Sequence, residues 1–253
     1  MRGDVSRPGA ARSPLGGWTA VGRLVVFGLA ATSIAALLVD FYALAPMRAF
    51  VLWVQLPATV LLALLAAVDR SPGRALRRAV VDGAVAGFVA AVAYDLFRVP
   101  FVQAAAWGLD GLVPALPLFK VFPRFGAMIL GQPLEQASYS MAAQLAGWAY
   151  HFSNGITFGI MYLALVGDAA RRAWWWGVVF AVGLEIGLLV TPYVATFGIR
   201  LTPTFVAVTL TAHLVFGAVM GLAARALARR RPIERGSGTQ SVARDASQGR
   251  KGQ

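Results

Sequence analysis

The chain has 253 residues, of which 58% are hydrophobic and only 13% are charged. Soluble domains carry about 25% charged residues, so this composition predicts an integral membrane protein. The net charge of +12 would suit nucleic acid, but the basic residues lie in short loops and tails, where membrane topology explains them, and we expect no nucleic-acid partner. The absence of cysteine excludes disulfides, thiolate metal sites and cysteine nucleophiles.

Six apolar stretches are each long enough to cross a hydrocarbon core of about 30 Å. They are residues 21–45, 50–68, 79–97, 143–166, 173–193 and 205–227. We therefore predict an all-α integral membrane protein whose six-helix transmembrane domain covers residues 21–228. The polar residues 1–20 and the basic residues 229–253 are predicted to be disordered cytoplasmic tails.

Residues 98–142 separate the third span from the fourth and are predicted to form an external loop. The part from 112 to 131 is apolar, but it contains three prolines and two cations, which are unfavourable at the centre of a bilayer. We expect this part to be re-entrant or to lie in the interface, as short broken helices. Elsewhere, Pro57 predicts a kink in the second span, and Pro100 predicts the end of the third.

The distribution of basic residues predicts the orientation of the chain. With six spans and both termini in the cytoplasm, only five of the 23 basic residues lie outside. These five are Arg48, Arg98, Lys120, Arg124 and Arg200. The positive-inside rule favours this arrangement, so we expect a multi-pass protein of the bacterial cytoplasmic (inner) membrane, in contact with the lipid bilayer.

The chain's only two histidines, His151 and His213, are each followed by glycines at +4 and +8. At about 1.5 Å per residue both lie roughly 12 Å from the outer ends of their spans, and Glu185 lies at nearly the same depth. Asp95 lies near the outer end of its span, and Asn154 lies three residues after His151. Because ionisable groups within hydrocarbon are unfavourable without a role, we predict that Asp95, His151, Glu185 and His213 line an outward-facing polar cavity. Asn154 could point into the same cavity, but a hydrogen bond between helices is the favoured role for its side chain.

Several chemistries are open to these groups. His151, Glu185 and His213 would suit a divalent metal such as zinc, iron or manganese, so a divalent metal is a candidate cofactor. The same groups suit a proton relay, two histidines on separate helices could ligate a haem, and the cavity could bind a small molecule. In the alternative without a ligand, each group caps a helix contact, and Asp95 pairs with nearby Arg98.

Stripes of small residues run along four spans from the inner side towards an ionisable group. Such stripes permit close helix contact and predict helices that pack tightly on the inner side and splay around the cavity. The stripes are Gly83, Gly87 and Ala91 before Asp95, Gly177 and Ala181 before Glu185, Gly159 and Gly155 towards His151, and Gly221 and Gly217 towards His213. Tyr94, Tyr150 and Tyr193 are predicted to be interfacial aromatics.

Three classes of function remain open. One is a binding site for a metal ion, protons or a small molecule. The second is a secondary transporter that uses Glu185 and Asp95 for proton coupling, and the third is a non-catalytic membrane assembly or structural factor. The sequence shows no nucleophile–base pair and no phosphate loop, which argues against an enzyme.

The second half of the chain carries a family resemblance in its order of helices and short motifs. The motifs are His151 followed by Tyr162, then Trp176-Gly177, Thr191-Pro192, Phe197-Gly198, Thr202-Pro203 and Ala212-His213 before Gly217. With them, residues 147–231 resemble the YagU-like group of uncharacterised bacterial inner-membrane proteins. The resemblance implies an inner-membrane location and a helical architecture, and it names no reaction or ligand.

Overall fold

The computed structural model describes residues 20–230. Within that range all regular secondary structure is helical, and there is no strand. The long helices are α1 (Ala20–Phe41), α2 (Met47–Val68), α3 (Ala75–Gln103), α5 (Met141–Val166), α6 (Trp175–Leu189) and α8 (Pro203–Arg229). Two shorter helices are α4 (Val121–Leu130) and α7 (Tyr193–Thr196). The predicted tails lie outside the described residues, except for the few positions that border the helices.

Helices α1, α2, α3 and α8 are long and apolar enough to cross a membrane, which supports the predicted all-α membrane class. The other two predicted spans, α5 and α6, are not among these four helices. α6 is apolar but has 15 residues. α5 has 26 residues, of which 12 are buried, because it packs against α1, α3 and α4. A helix enclosed by other helices can carry polar residues that a lipid-facing helix cannot.

Four helix ends differ from the prediction by four residues or more. α1 ends at Phe41, where 45 was predicted, and α3 begins at Ala75, where 79 was predicted. The other two, at the ends of α3 and α6, have identifiable reasons. α3 continues through Pro100 to Gln103, so the predicted end at Phe97 is wrong. Proline removes a single backbone hydrogen bond, and Arg98 in the same turn is buried and bonded to Asp95 and to the Leu118 carbonyl. α6 ends at Leu189, four residues before the predicted end, where the Thr191 hydroxyl donates to the Leu188 carbonyl at 2.6 Å and the Thr-Pro sequence stops the helix.

The interruption predicted near Pro57 takes the form of a π-helical turn. Residues Val51–Gln55 adopt this wider turn immediately before the regular part of α2 that contains Pro57. Proline supplies no backbone N–H, and both proline and single π turns are known causes of kinks in helices.

The segment between α3 and α5 contains a short helix where broken helices were predicted. This helix, α4, packs its backbone directly on α5. A methyl group added to Gly126 would overlap the carbonyl oxygen of Ala143, and one added to Gly147 would overlap that of Phe122. The helix is therefore part of the packed bundle.

Polar contacts join α1 to α5 at two levels. Near one end, the Arg23 guanidinium donates to the carbonyl oxygens of Ala164, at 2.6 Å, and of Leu165. A cation at this position satisfies carbonyls that the C-terminus of a helix leaves unpaired. Halfway along, the Tyr150 hydroxyl donates to the Ser33 carbonyl at 2.6 Å. These contacts fix α1 beside the helix that carries His151.

The small-residue stripes lie at two helix contacts. A methyl group on Gly87 of α3 would overlap the carbonyl oxygen of Gly155 on α5. A methyl group on Gly177 of α6 would likewise overlap the carbonyl oxygen of Gly217 on α8. Both helix pairs therefore approach to backbone contact, and only glycine fits at these positions.

Candidate functional site

A cavity of about 500 Å³ lies between α1, α3, α5, α6 and α8. The segments 116–125 and 193–205 complete its wall. His151, Asn154, Glu185 and His213 all line it, whereas Asp95 does not. The structure thus brings four of the five predicted site residues into one cavity. Asp95 lies outside the cavity wall and contacts His151, which is in it.

The first acid–histidine pair joins α3 to α5. Asp95 Oδ2 lies 2.9 Å from His151 Nε2, and Asp95 Oδ1 accepts from Arg98 Nη1 at 3.4 Å. Arg98 Nη2 also donates to the Leu118 carbonyl at 2.5 Å. The Asp95–Arg98 pairing that the sequence offered as an alternative is therefore present together with the contact to His151.

The second acid–histidine pair joins α6 to α8. His213 Nε2 lies 3.5 Å from Glu185 Oε2, and His213 Nδ1 lies 2.9 Å from the Thr209 carbonyl oxygen. A carbonyl oxygen can only accept a hydrogen bond, so Nδ1 carries a proton. The Glu185 carboxyl therefore lies beside Nε2 of His213, as the Asp95 carboxyl lies beside Nε2 of His151.

The two pairs occupy corresponding positions at the two glycine contacts. On each acid-bearing helix, an alanine lies four residues and a glycine eight residues before the acid, and on each histidine-bearing helix glycines follow at +4 and +8. The chain thus contains two similar helix pairs, α3 with α5 and α6 with α8. Both hold a carboxyl against an imidazole, and both histidines line the same cavity.

Tyr94 lies between the two histidines. Its ring centroid is 5.0 Å from that of His213 and 6.0 Å from that of His151, and Arg98 stacks over it at 4.6 Å. Tyr94, which the sequence predicted to be an interfacial aromatic, thus lies in the cavity wall. Tyr193 also lines the cavity, and Tyr150 is buried within the bundle.

Asn154 serves as a contact between helices as well as lining the cavity. Its side-chain oxygen accepts a hydrogen bond from the Ser33 hydroxyl of α1. Ser33 and Asn154 are both buried, where a hydrogen-bond partner is required for stability. The side chain of Asn154 is thereby held in one orientation at the cavity wall.

The structure does not assemble the predicted metal set. Among residues 20–230, no three histidine, aspartate or glutamate side chains are grouped so that they could hold a metal ion. Glu185 and His213 form one pair, while His151 belongs to the other pair, on the far side of Tyr94. The donor arrangement is thus two separate acid–imidazole pairs.

Four basic residues in the cavity wall were missed as site residues. They are Arg98, Lys120, Arg124 and Arg200. The signal was available in the sequence, because these are four of the five cations that the predicted topology places outside, against the positive-inside tendency. A place in the wall of a cavity is one reason for a basic residue to lie on the predicted outer side.

Comparison with known proteins found no matching family model, no similar curated protein and no similar solved structure. The YagU-like resemblance of residues 147–231 therefore stays a prediction from the sequence.

Proposed function

We propose that this chain is a six-span protein of the bacterial cytoplasmic membrane, related to the YagU-like group, whose cavity opens to the outer side and binds a small molecule. The observation that carries the proposal is the convergence of His151, Asn154, Glu185 and His213 on one cavity of about 500 Å³. Small-molecule sites commonly measure about 300–1,000 Å³ and combine apolar walls with a few polar groups.

The length of α5 supports a further span, since 26 residues at 1.5 Å per residue measure about 39 Å. The 15 residues of α6 measure only about 22 Å, so its proposal as a span rests on its apolar sequence and on Trp174, Trp175 and Trp176 at its start, which suit an interfacial anchor. Six antiparallel spans bring both termini to one side, which the distribution of basic residues indicates is the cytoplasmic side. The segments that cover the cavity then face outwards.

The glycine contacts favour binding from one side over transport. They lie on the inner side of both acid–histidine pairs, where the backbones of α3 and α5, and of α6 and α8, are in contact. The space between the two pairs is filled by a buried apolar cluster that includes Tyr162, Met220 and Ala224, so a solute could cross only if the helices separated. The packing therefore supports a site that is entered and left from the outer side.

A matched pair of tryptophan variants tests whether the cavity holds a molecule. Leu184 lines the cavity, whereas Ile186, on the same helix, is exposed. Native mass spectrometry of protein released from membranes should show a bound small molecule in the wild type and in Ile186→Trp. The adduct should be absent from Leu184→Trp, in which the indole fills the site. Equal adducts in both variants, or none in the wild type, would contradict the proposal.

A further inference from the structure

We propose that the ligand is an amphipathic anion, with a carboxylate or phosphate head held beside Arg98 and an apolar body in the aromatic part of the cavity. This inference rests on the proposed small-molecule site and specifies its ligand. It is carried by three features of the wall: unused donors on a buried arginine, an excess of cations on the outer side, and apolar rings at the inner end.

Arg98 has hydrogen-bonding capacity that the protein does not use. The residue is 4% exposed and lines the cavity. A guanidinium has five N–H donors, and Arg98 makes two hydrogen bonds, one to Asp95 and one to the Leu118 carbonyl. Its Nε–H is buried with no partner among the described residues. A buried unpaired donor is unfavourable, and an oxyanion would satisfy it with a charge-assisted bond.

The charges around the cavity favour an anion over a cation. Glu185 is the one acidic residue in the wall, and it faces His213. Arg124 is matched by Glu135 at 3.0 Å. Lys120 and Arg200 are exposed and make no ion pair within residues 20–230. Two unmatched cations in the outer wall attract an anionic head and orient it towards Arg98.

The remainder of the cavity wall suits an apolar body. Phe158 and Phe216 meet edge to face, with centroids 6.4 Å apart, and Leu184, Leu188 and Phe205 extend the apolar surface between them and the outer cations. A fully hydrophilic anion such as free phosphate would leave this surface without contacts. An anion with a hydrocarbon body would remove this apolar surface from water, which is favourable by about 25 cal/mol per Å² of buried surface.

Binding to the full chain in phosphatidylcholine nanodiscs tests the ligand class, with empty nanodiscs as the reference. The probes are dodecanoate, dodecyl phosphate, dodecanol, dodecylamine and inorganic phosphate. At least one of the two anionic amphiphiles should bind about tenfold or more tightly than dodecanol or dodecylamine, since hydrogen bonds to charged groups contribute about 1.5–3 kcal/mol. Inorganic phosphate alone should bind weakly. The preferred head distinguishes a carboxylate ligand from a phosphate ligand.

Variants locate the site. Arg98→Gln should weaken binding of the anionic probe roughly tenfold or more. Because this variant can also disturb folding, Arg200→Gln provides a second test at an exposed position, with an expected loss of about two- to fivefold. Arg77→Gln, an exposed residue of the inner side, should bind as the wild type does.

Three results would overturn the inference. The first is that dodecanol binds as tightly as the anions. The second is that Arg98→Gln and Arg200→Gln both leave the affinity unchanged. The third is that neither anionic amphiphile binds. If the adduct sensitive to Leu184→Trp persists in these cases, the small-molecule site survives and only its ligand class is wrong. If that adduct is also missing, the proposed function fails as well.

Discussion

Replacing Gly87 with alanine should strongly destabilise the helix bundle. The added methyl group would overlap the Gly155 carbonyl oxygen, and it would also lie 3.0 Å from the Gly159 amide nitrogen. Both are backbone atoms, so α3 and α5 would have to move apart along the contact. Overpacking of this kind costs about 1–3 kcal/mol, and occasionally more. The measurement is the free energy of unfolding in detergent, with the loss of helix content as the signal of unfolding.

A glycine in open space provides the control for Gly87→Ala. Gly183 lies in α6, and a methyl group added there would meet no atom within 4 Å. Gly183→Ala should be neutral, or more stable by up to about 1 kcal/mol, because alanine is the better helix former. Equal losses of stability in Gly87→Ala and Gly183→Ala would show that the close helix contact is not what holds α3 against α5.

The second large effect is expected for Asp95→Ala. The Asp95 carboxylate faces both Arg98 and His151, and its side chain is 12% exposed. Its removal leaves the buried Arg98 without a counter-ion, and breaking a buried pair from one side costs about 3–5 kcal/mol. The free energy of unfolding in detergent should fall by that order.

Glu135→Ala and a double variant make the Asp95 experiment specific. Glu135 pairs with Arg124, but its side chain is 74% exposed, so its loss should cost less than about 1 kcal/mol. Combining Asp95→Ala with Arg98→Met removes both buried charges and should recover part of the lost stability. An Asp95→Ala loss as small as that of Glu135→Ala would mean that the pair is not the buried contact described above.

The sequence predicted the helices well because hydrophobic length is a property of the local chain. The constant rise per residue also led to the prediction that His151, Glu185 and His213 share one depth, and the structure shows that all three line one cavity. The rotation of each helix was harder to infer, because it depends on which neighbour a face meets. For that reason Asp95 was expected in the cavity wall, whereas it lies behind His151.

The cations and tyrosines of the site could be inferred only in part. Tyr94 and Arg98 lie four residues apart on α3 and therefore share a face, so their contact was accessible from spacing alone. Lys120 and Arg200 reach the cavity because the connecting segments fold back over the bundle. That return path depends on long-range contacts, such as the Arg124 bond to the Phe197 carbonyl at 2.7 Å, which no local pattern encodes.

Labelling a single cysteine in the cavity tests the central claim most directly. The chain has no native cysteine, so Leu188→Cys in the cavity wall and Arg70→Cys in the α2–α3 connection can each be labelled without background. A membrane-impermeant maleimide is applied to cells whose outer membrane has been permeabilised and whose inner membrane is intact. We expect Leu188→Cys to react under these conditions, and Arg70→Cys to react only after the inner membrane is permeabilised as well. The opposite pattern, with Arg70→Cys reactive from outside and Leu188→Cys protected, would contradict an outward-facing cavity.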